Sequence, residues 1–131
     1  MTEPSPVTSA ERRLQRKLGP GVHIAAWGRA WVSRDGRMHN VFAARTLDFV
    51  VCTDDRLVLY STGFFTRRPR RKVYEMSFDR LRVDTRQAKR GSHLRLSTRG
   101  HRALLLDLSA KPRNTTFAAQ LLARTERRVS S

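Results

Sequence analysis

The run Gly63-Phe64-Phe65-Thr66-Arg67-Arg68-Pro69-Arg70-Arg71-Lys72 sets two adjacent aromatics before five cations that flank one proline. Side chains of that kind at that density attract phosphates or other anions, so Arg67, Arg68, Arg70, Arg71 and Lys72 are candidate anion- or lipid-binding residues. Phe64 and Phe65 beside them can form an apolar tip that enters an interface while the cations hold phosphates. They can equally be core residues at the end of a strand, and the sequence leaves both readings open.

Other chemistry finds little support. His23, His39, His93 and His101 are far apart, and the sequence holds no His-x-x-x-His, Cys-x-x-Cys, Gly-x-Ser-x-Gly or Gly-rich phosphate loop. No catalytic residue, metal site, cofactor or small-molecule substrate is therefore expected, and the chain is read as a non-enzyme. Cys52 is the lone cysteine and lies in the apolar run Leu47 to Cys52. It is expected to be a small buried hydrophobe rather than a nucleophile. The adjacent Asp54 and Asp55 have no catalytic partner nearby and are expected to stabilise a turn by bonding their own backbone.

The 27 Lys and Arg against 11 acids give a formal charge of +16, a field that draws nucleic acid or an anionic membrane surface. Arginine supplies 23 of those cations, a bias that a GC-rich genome also produces, so some of the charge serves only solvation. A chain of 131 residues can bury a core without disulfides. Its apolar runs, such as Leu104 to Leu106, are too short to cross a bilayer. Residues 1–10, rich in Ser, Thr and Pro, lack an apolar signal core and are expected to form a disordered lead-in to a cytoplasmic protein. A single domain is expected over residues 11–125, followed by a basic tail over 126–131.

Glu11 to Leu18, with Leu14 and Leu18 four apart, can form a short N-terminal helix before Gly19-Pro20-Gly21 stops it. Val22 to Val32 is predicted as a long strand: Ile24, Ala26, Ala30 and Val32 share one parity and Trp27, Arg29 and Trp31 the other, with a bulge or strong twist near Gly28. Both tryptophans are expected to pack partly buried. Ser33 to Arg37 is a turn signal, and Leu47 to Thr53 and Arg56 to Ser61 form a hairpin about Asp54-Asp55 with both faces covered. Tyr74, Met76 and Phe78 alternate with polar residues as a strand that continues through Leu81 and Val83 after a kink. Strands over His93 to Thr98 and Ala103 to Leu108 follow, the first preceded by a basic turn with Arg86, Lys89 and Arg90. Asn114 can cap a final helix over Thr115 to Thr125, whose Phe117, Leu121 and Leu122 make an apolar stripe.

Seven short strands and one terminal helix predict a mainly β fold: an antiparallel barrel or sandwich with the helix covering an open end. The hairpin Leu47 to Tyr60, with its Thr53-Asp54-Asp55-Arg56-Leu57 turn, and the helix Asn114 to Arg124 resemble a bacterial pleckstrin-homology-like (PH-like) domain of the small GRAM-related type. The resemblance covers about Val22 to Arg124 in element order. It implies a binding module with ligands at the loops after strands one, three and six. Those positions are Arg34 and Arg37, then Arg67, Arg68, Arg70, Arg71 and Lys72, with Arg99 and Arg102 as further members. The Lys-x-Arg pair of lipid-binding members has no clean counterpart among Arg29, Arg34 and Arg37. The expected activity is reversible association with an anionic membrane lipid or phosphate-bearing ligand, at the inner face of the membrane. The alternatives are a protein–protein interaction module and a basic nucleic-acid-binding protein.

Overall fold

The computed structural model describes residues 9–33, 46–63, 67–88 and 91–129. Seven antiparallel strands, β1 (Ile24–Ser33), β2 (Thr46–Thr53), β3 (Arg56–Thr62), β4 (Pro69–Ser77), β5 (Arg82–Ala88), β6 (Gly91–Ser97) and β7 (Leu104–Ser109), lie between two helices, α1 (Ser9–Leu18) and α2 (Pro112–Val129). They form one sheet in the order β4-β3-β2-β1-β7-β6-β5. The two edge strands are consecutive in sequence and joined by only a 3-10 turn, Phe78–Arg80, so the sheet must curl until its edges approach. The product is the expected mainly β, seven-stranded fold capped by a C-terminal helix.

The alternation of β1 splits the apolar residues into two cores. Ala26, Ala30 and Val32 face the interior of the curl with Val50, Leu59, Phe78, Leu94 and Leu106, and there they meet Phe117 and Leu121 of α2. Trp27 faces outward and packs with Phe49, Val51, Val58 and Tyr60 under Leu14 of α1. The hairpin of β2 and β3 is therefore buried on both faces, as its unbroken apolar runs require. Helix α1 is more than a marginal turn. Ala10, Leu14 and Leu18 fall on one face at four-residue spacing, and Leu14 is fully buried on the sheet.

Several local expectations need correction. The β1 irregularity falls between Ile24 and Ala26 rather than at Gly28, which pairs in register with Val50. Gly28 answers a different need, close approach by α2: a Cβ there would lie 2.5 Å from Asn114 Oδ1. Asn114 is not an N-cap, because α2 begins two residues earlier at Pro112, where a missing N–H costs nothing. Its buried amide instead accepts from Arg29 N (3.1 Å) and donates to Ser109 O (3.3 Å) and Ser109 Oγ (3.0 Å), clamping α2 to β1 and β7. Phe78 leaves the strand for the 3-10 turn yet stays buried, its N–H donating to Asp55 O at 3.0 Å. The stripe of α2 is Phe117, Ala118, Leu121 and Thr125, with Leu122 only half-buried. The helix also continues past Thr125 to Val129.

In the β2–β3 turn the Asp55 carboxylate bonds its own backbone, as expected of a turn-forming aspartate. Thr53 Oγ1 also accepts from the N–H groups of Asp55 (3.3 Å) and Arg56 (3.1 Å). Asp55 pairs with Arg56 at 3.0 Å, and Asp54 receives His23 Nδ1 at 2.9 Å.

The Asn114 clamp yields a stability prediction. Gly28→Ala must displace the Asn114 amide and strand buried polar groups, a loss of roughly 1–3 kcal/mol. Asn114→Ala should cost a similar amount, and the double variant should lose less than the sum of the two, because both act on one interaction. Urea denaturation of the three variants measures this; strict additivity would show that the clamp is not shared.

Candidate anion-binding site

The basic segment is placed by a tight turn at the end of β3. Gly63 N donates to Arg68 O at 2.8 Å and Arg67 N to Gly63 O at 3.0 Å, while Arg67 adopts a left-handed backbone with φ of 54°. A non-glycine residue in that region is unfavourable by about 1 kcal/mol, so the turn holds an arginine where glycine would relax. Pro69 then opens β4 opposite Thr62. Of the five cations, Arg67 and Arg68 precede β4, whereas Arg70, Arg71 and Lys72 belong to an edge strand rather than a loop.

Two register shifts, between Leu59 and Tyr60 and between Tyr60 and Thr62, break the alternation of the β3–β4 ladder. As a result Arg70, Arg71 and Lys72 are all exposed, as are Arg67 and Arg68. Ser61 Oγ accepts from Arg71 N at 3.2 Å and pins the irregular stretch. Lys72 is partly neutralised by Glu75 (3.4 Å), a carboxylate it shares with Arg56. Among the described residues, no carboxylate lies within ion-pair distance of Arg67, Arg68, Arg70 or Arg71. These four exposed arginines thus have no carboxylate to neutralise them among the described residues. A proline and charges also protect an edge strand from pairing with another chain, a role compatible with anion binding.

Arg34, Arg37, Phe64 and Phe65 lie outside the described residues. Arg99 and Arg102 are exposed in the β6–β7 connection, which Thr98 links to β4 through a 3.3 Å hydrogen bond with Tyr74. The structure brings Arg29 to the basic turn: its Nη2 donates to Arg67 O at 3.4 Å. The Arg29 guanidinium lies 4.7 Å from the centre of the Phe49 ring, and its pKa is lowered by burial and, secondarily, by the charge of Arg67. Strand parity placed Arg29 on the outer face, but its meeting with Arg67 depends on three successive strand registers, which local sequence does not disclose. Asp48, a fully buried carboxylate opposite Ala30, also has no sequence signal, since it interrupts an otherwise apolar strand.

Cys52 is fully buried in the interior core, and burial pushes its thiol up to about 12. Among the described residues no group of three or more His, Cys, Asp or Glu could hold a metal ion, and no helix is long and apolar enough to cross a membrane.

This architecture, a strongly curled seven-stranded antiparallel sheet closed by a C-terminal helix, is a PH-like fold. The chain is similar to the PH domain of human pleckstrin homology domain-containing protein family A member 5, with a TM-score of 0.57 and 9% identity over 82% of this chain and 81% of that one. It is likewise similar, with a TM-score of 0.57 and 9% identity over 79% of its length, to a structure of Vav1 inhibited by an allosteric inhibitor that blocks GEF activity. This chain spans about a quarter (26%) of that Vav1 chain. No protein-family model matches the sequence, and no curated protein matches it. Likeness at this identity establishes the fold alone.

Burial of Cys52 has a pH consequence. The unfolded chain releases the thiol proton near 9.0, whereas the folded chain retains it toward about 12. The stabilisation is therefore fully present below pH 9.0 and is lost as pH rises from there toward 12. Cys52→Ala should show a shallower alkaline decline in unfolding free energy than the parent, and the parent thiol should resist a thiol-specific reagent until denatured. Parallel alkaline slopes, or rapid labelling of the native protein, would contradict the burial.

Proposed function

We propose that the protein is a non-catalytic PH-like binding module that associates reversibly with anionic membrane lipid or another phosphate-bearing ligand through Arg67, Arg68, Arg70 and Arg71, with Lys72 in a lesser role. The observation that carries this reading is the exposure of four arginines with no carboxylate partner among the described residues. Where a fold neutralises its cations internally, the charge is structural; here the attraction remains available to an outside anion. Arg34, Arg37, Phe64 and Phe65 are proposed as further members of the surface, the arginines as phosphate contacts and the phenylalanines as an apolar tip. The overall charge of +16 supplies the long-range attraction, and the four arginines its local focus.

The test is co-sedimentation with neutral and anionic vesicles across a salt series. Each basic residue at an anionic surface contributes about 1 kcal/mol, so replacing Arg67, Arg68, Arg70 and Arg71 together by Ser should weaken vesicle binding on the order of a hundredfold or more. Thermal stability should barely change, because the Arg67 carbonyl that Arg29 uses survives the substitution. Soluble inositol phosphate that displaces the protein would identify a headgroup site, and failure to displace it would identify a diffuse surface attraction. Retained vesicle binding in the four-arginine variant sinks the proposal. Displacement by low concentrations of single-stranded or duplex nucleic acid would reassign the arginines to nucleic-acid phosphates.

A further inference from the structure

A second group of cations lies where Trp27, Arg29 and Trp31 of β1 meet the start of α2. A cavity of about 510 Å³ opens there between β1, β7 and the start of α2. Its lining combines Trp27, Trp31 and Leu47 with Arg29, Lys111 and Arg113 and with one carboxylate, Asp107. Three cations against one acid therefore line a hollow of the size that small ligands occupy.

The placement of Lys111 and Arg113 opposes local stability. Helix α2 begins at Pro112 with no acidic residue in its first turn, and cations flank Pro112 on both sides at the positive end of the helix dipole. That end favours acids, so the arrangement is locally unfavourable and becomes favourable when an external anion arrives. Arg113 is also held in place: its guanidinium carbon lies 4.2 Å from the centre of the Trp27 ring. Arg29, which also lines the cavity, has a buried Nε that makes no hydrogen bond among the described residues. An unsatisfied buried donor is costly, and an anion beside this guanidinium offsets that cost by stabilising its charge.

Asp107 lies opposite Trp31 in the β1–β7 ladder and 3.5 Å from His93 Nε2. A carboxylate there opposes a dianionic phosphate more strongly than it opposes the single carboxylates of a peptide. We propose that this cavity binds an acidic peptide segment of a partner protein. An apolar side chain of that segment would rest against Trp31 and Leu47, and neighbouring Asp or Glu carboxylates would meet Arg29, Lys111 and Arg113. The site is independent of the basic turn in β3–β4 and stands or falls separately from the membrane reading.

The experiment uses the full chain and two dye-labelled peptides of equal charge, one alternating glutamate with leucine and the other glutamate with serine. Fluorescence anisotropy should show the leucine peptide binding at least about tenfold tighter, as one well-placed apolar side chain allows. Trp31→Ala should erase that preference. Lys111→Glu, an exposed change that leaves the core untouched, should weaken both peptides by about tenfold and keeps the test valid if Trp31→Ala fails to fold. The variant with Arg67, Arg68, Arg70 and Arg71 replaced by Ser should lose vesicle binding and keep the leucine preference. Equal binding of the two peptides overturns the proposal. So does a preference that survives Trp31→Ala, unchanged affinity in Lys111→Glu, or competitive displacement by soluble inositol phosphate, which would show a phosphate site instead.

Discussion

Everything in this fold depends on β1 serving two half-sheets at once. Among the described residues it pairs with β2 from Ile24 to Val32, and Trp31, Val32 and Ser33 pair with β7. This second ladder joins β1–β4 to β5–β7. The Asn114 amide reinforces it from outside the ladder by bonding Arg29 N and Ser109, one residue group from each side. Gly28 makes this possible, since any side chain would hold α2 away from the strand. The same close approach sets Phe117 and Leu121 into the gap left by the unpaired edges and brings the first turn of α2 beside Trp27. The joint that closes the core thus also builds the outer cavity.

Burial on both faces of β1 and β2 explains why so basic a chain can hold a compact structure. Self-repulsion among cations acts against folding, and surface ion pairs return little, typically below about 1 kcal/mol each. Apolar contact must supply the excess. The interior core is augmented by Leu14 resting on Trp27, Phe49, Val51, Val58 and Tyr60, while Trp27 Nε1 is satisfied by Glu11 at 3.1 Å. With stability drawn from two cores, the arginines near β4 are free of any structural duty to find acids.

The fold class was legible because its signals are local. Period-two alternation in β1 and in the residues after the basic run, the Thr53–Leu57 turn, and the stripe of α2 each reflect neighbours within a few positions. Positions that depend on distant partners were misjudged: Asn114 was assigned to capping because its sequence neighbours suit a helix start, yet its partners lie on β1 and β7. Gly28 likewise carried the correct message of a special backbone site with the wrong cause. Of the candidate site, the cationic run was plain from composition alone. Its division between a turn and an irregular edge strand was not, because the two register shifts that expose three consecutive residues are set by pairing with β3. The cavity had no sequence signature at all, as Trp31, Lys111 and Arg113 are brought together only by the β1–β7 seam and the clamp.

Arg29 occupies the boundary between the two cationic regions, and its environment makes it responsive to both. Its guanidinium is held over Phe49 and bonds the Arg67 carbonyl through Nη2, and the residue also lines the outer cavity. Burial and the Arg67 charge both oppose its protonated form, so an anion arriving on either side relieves a cost already present in the free protein. An anion at the basic turn would offset the repulsion from Arg67, whereas a carboxylate in the cavity would compensate the desolvation.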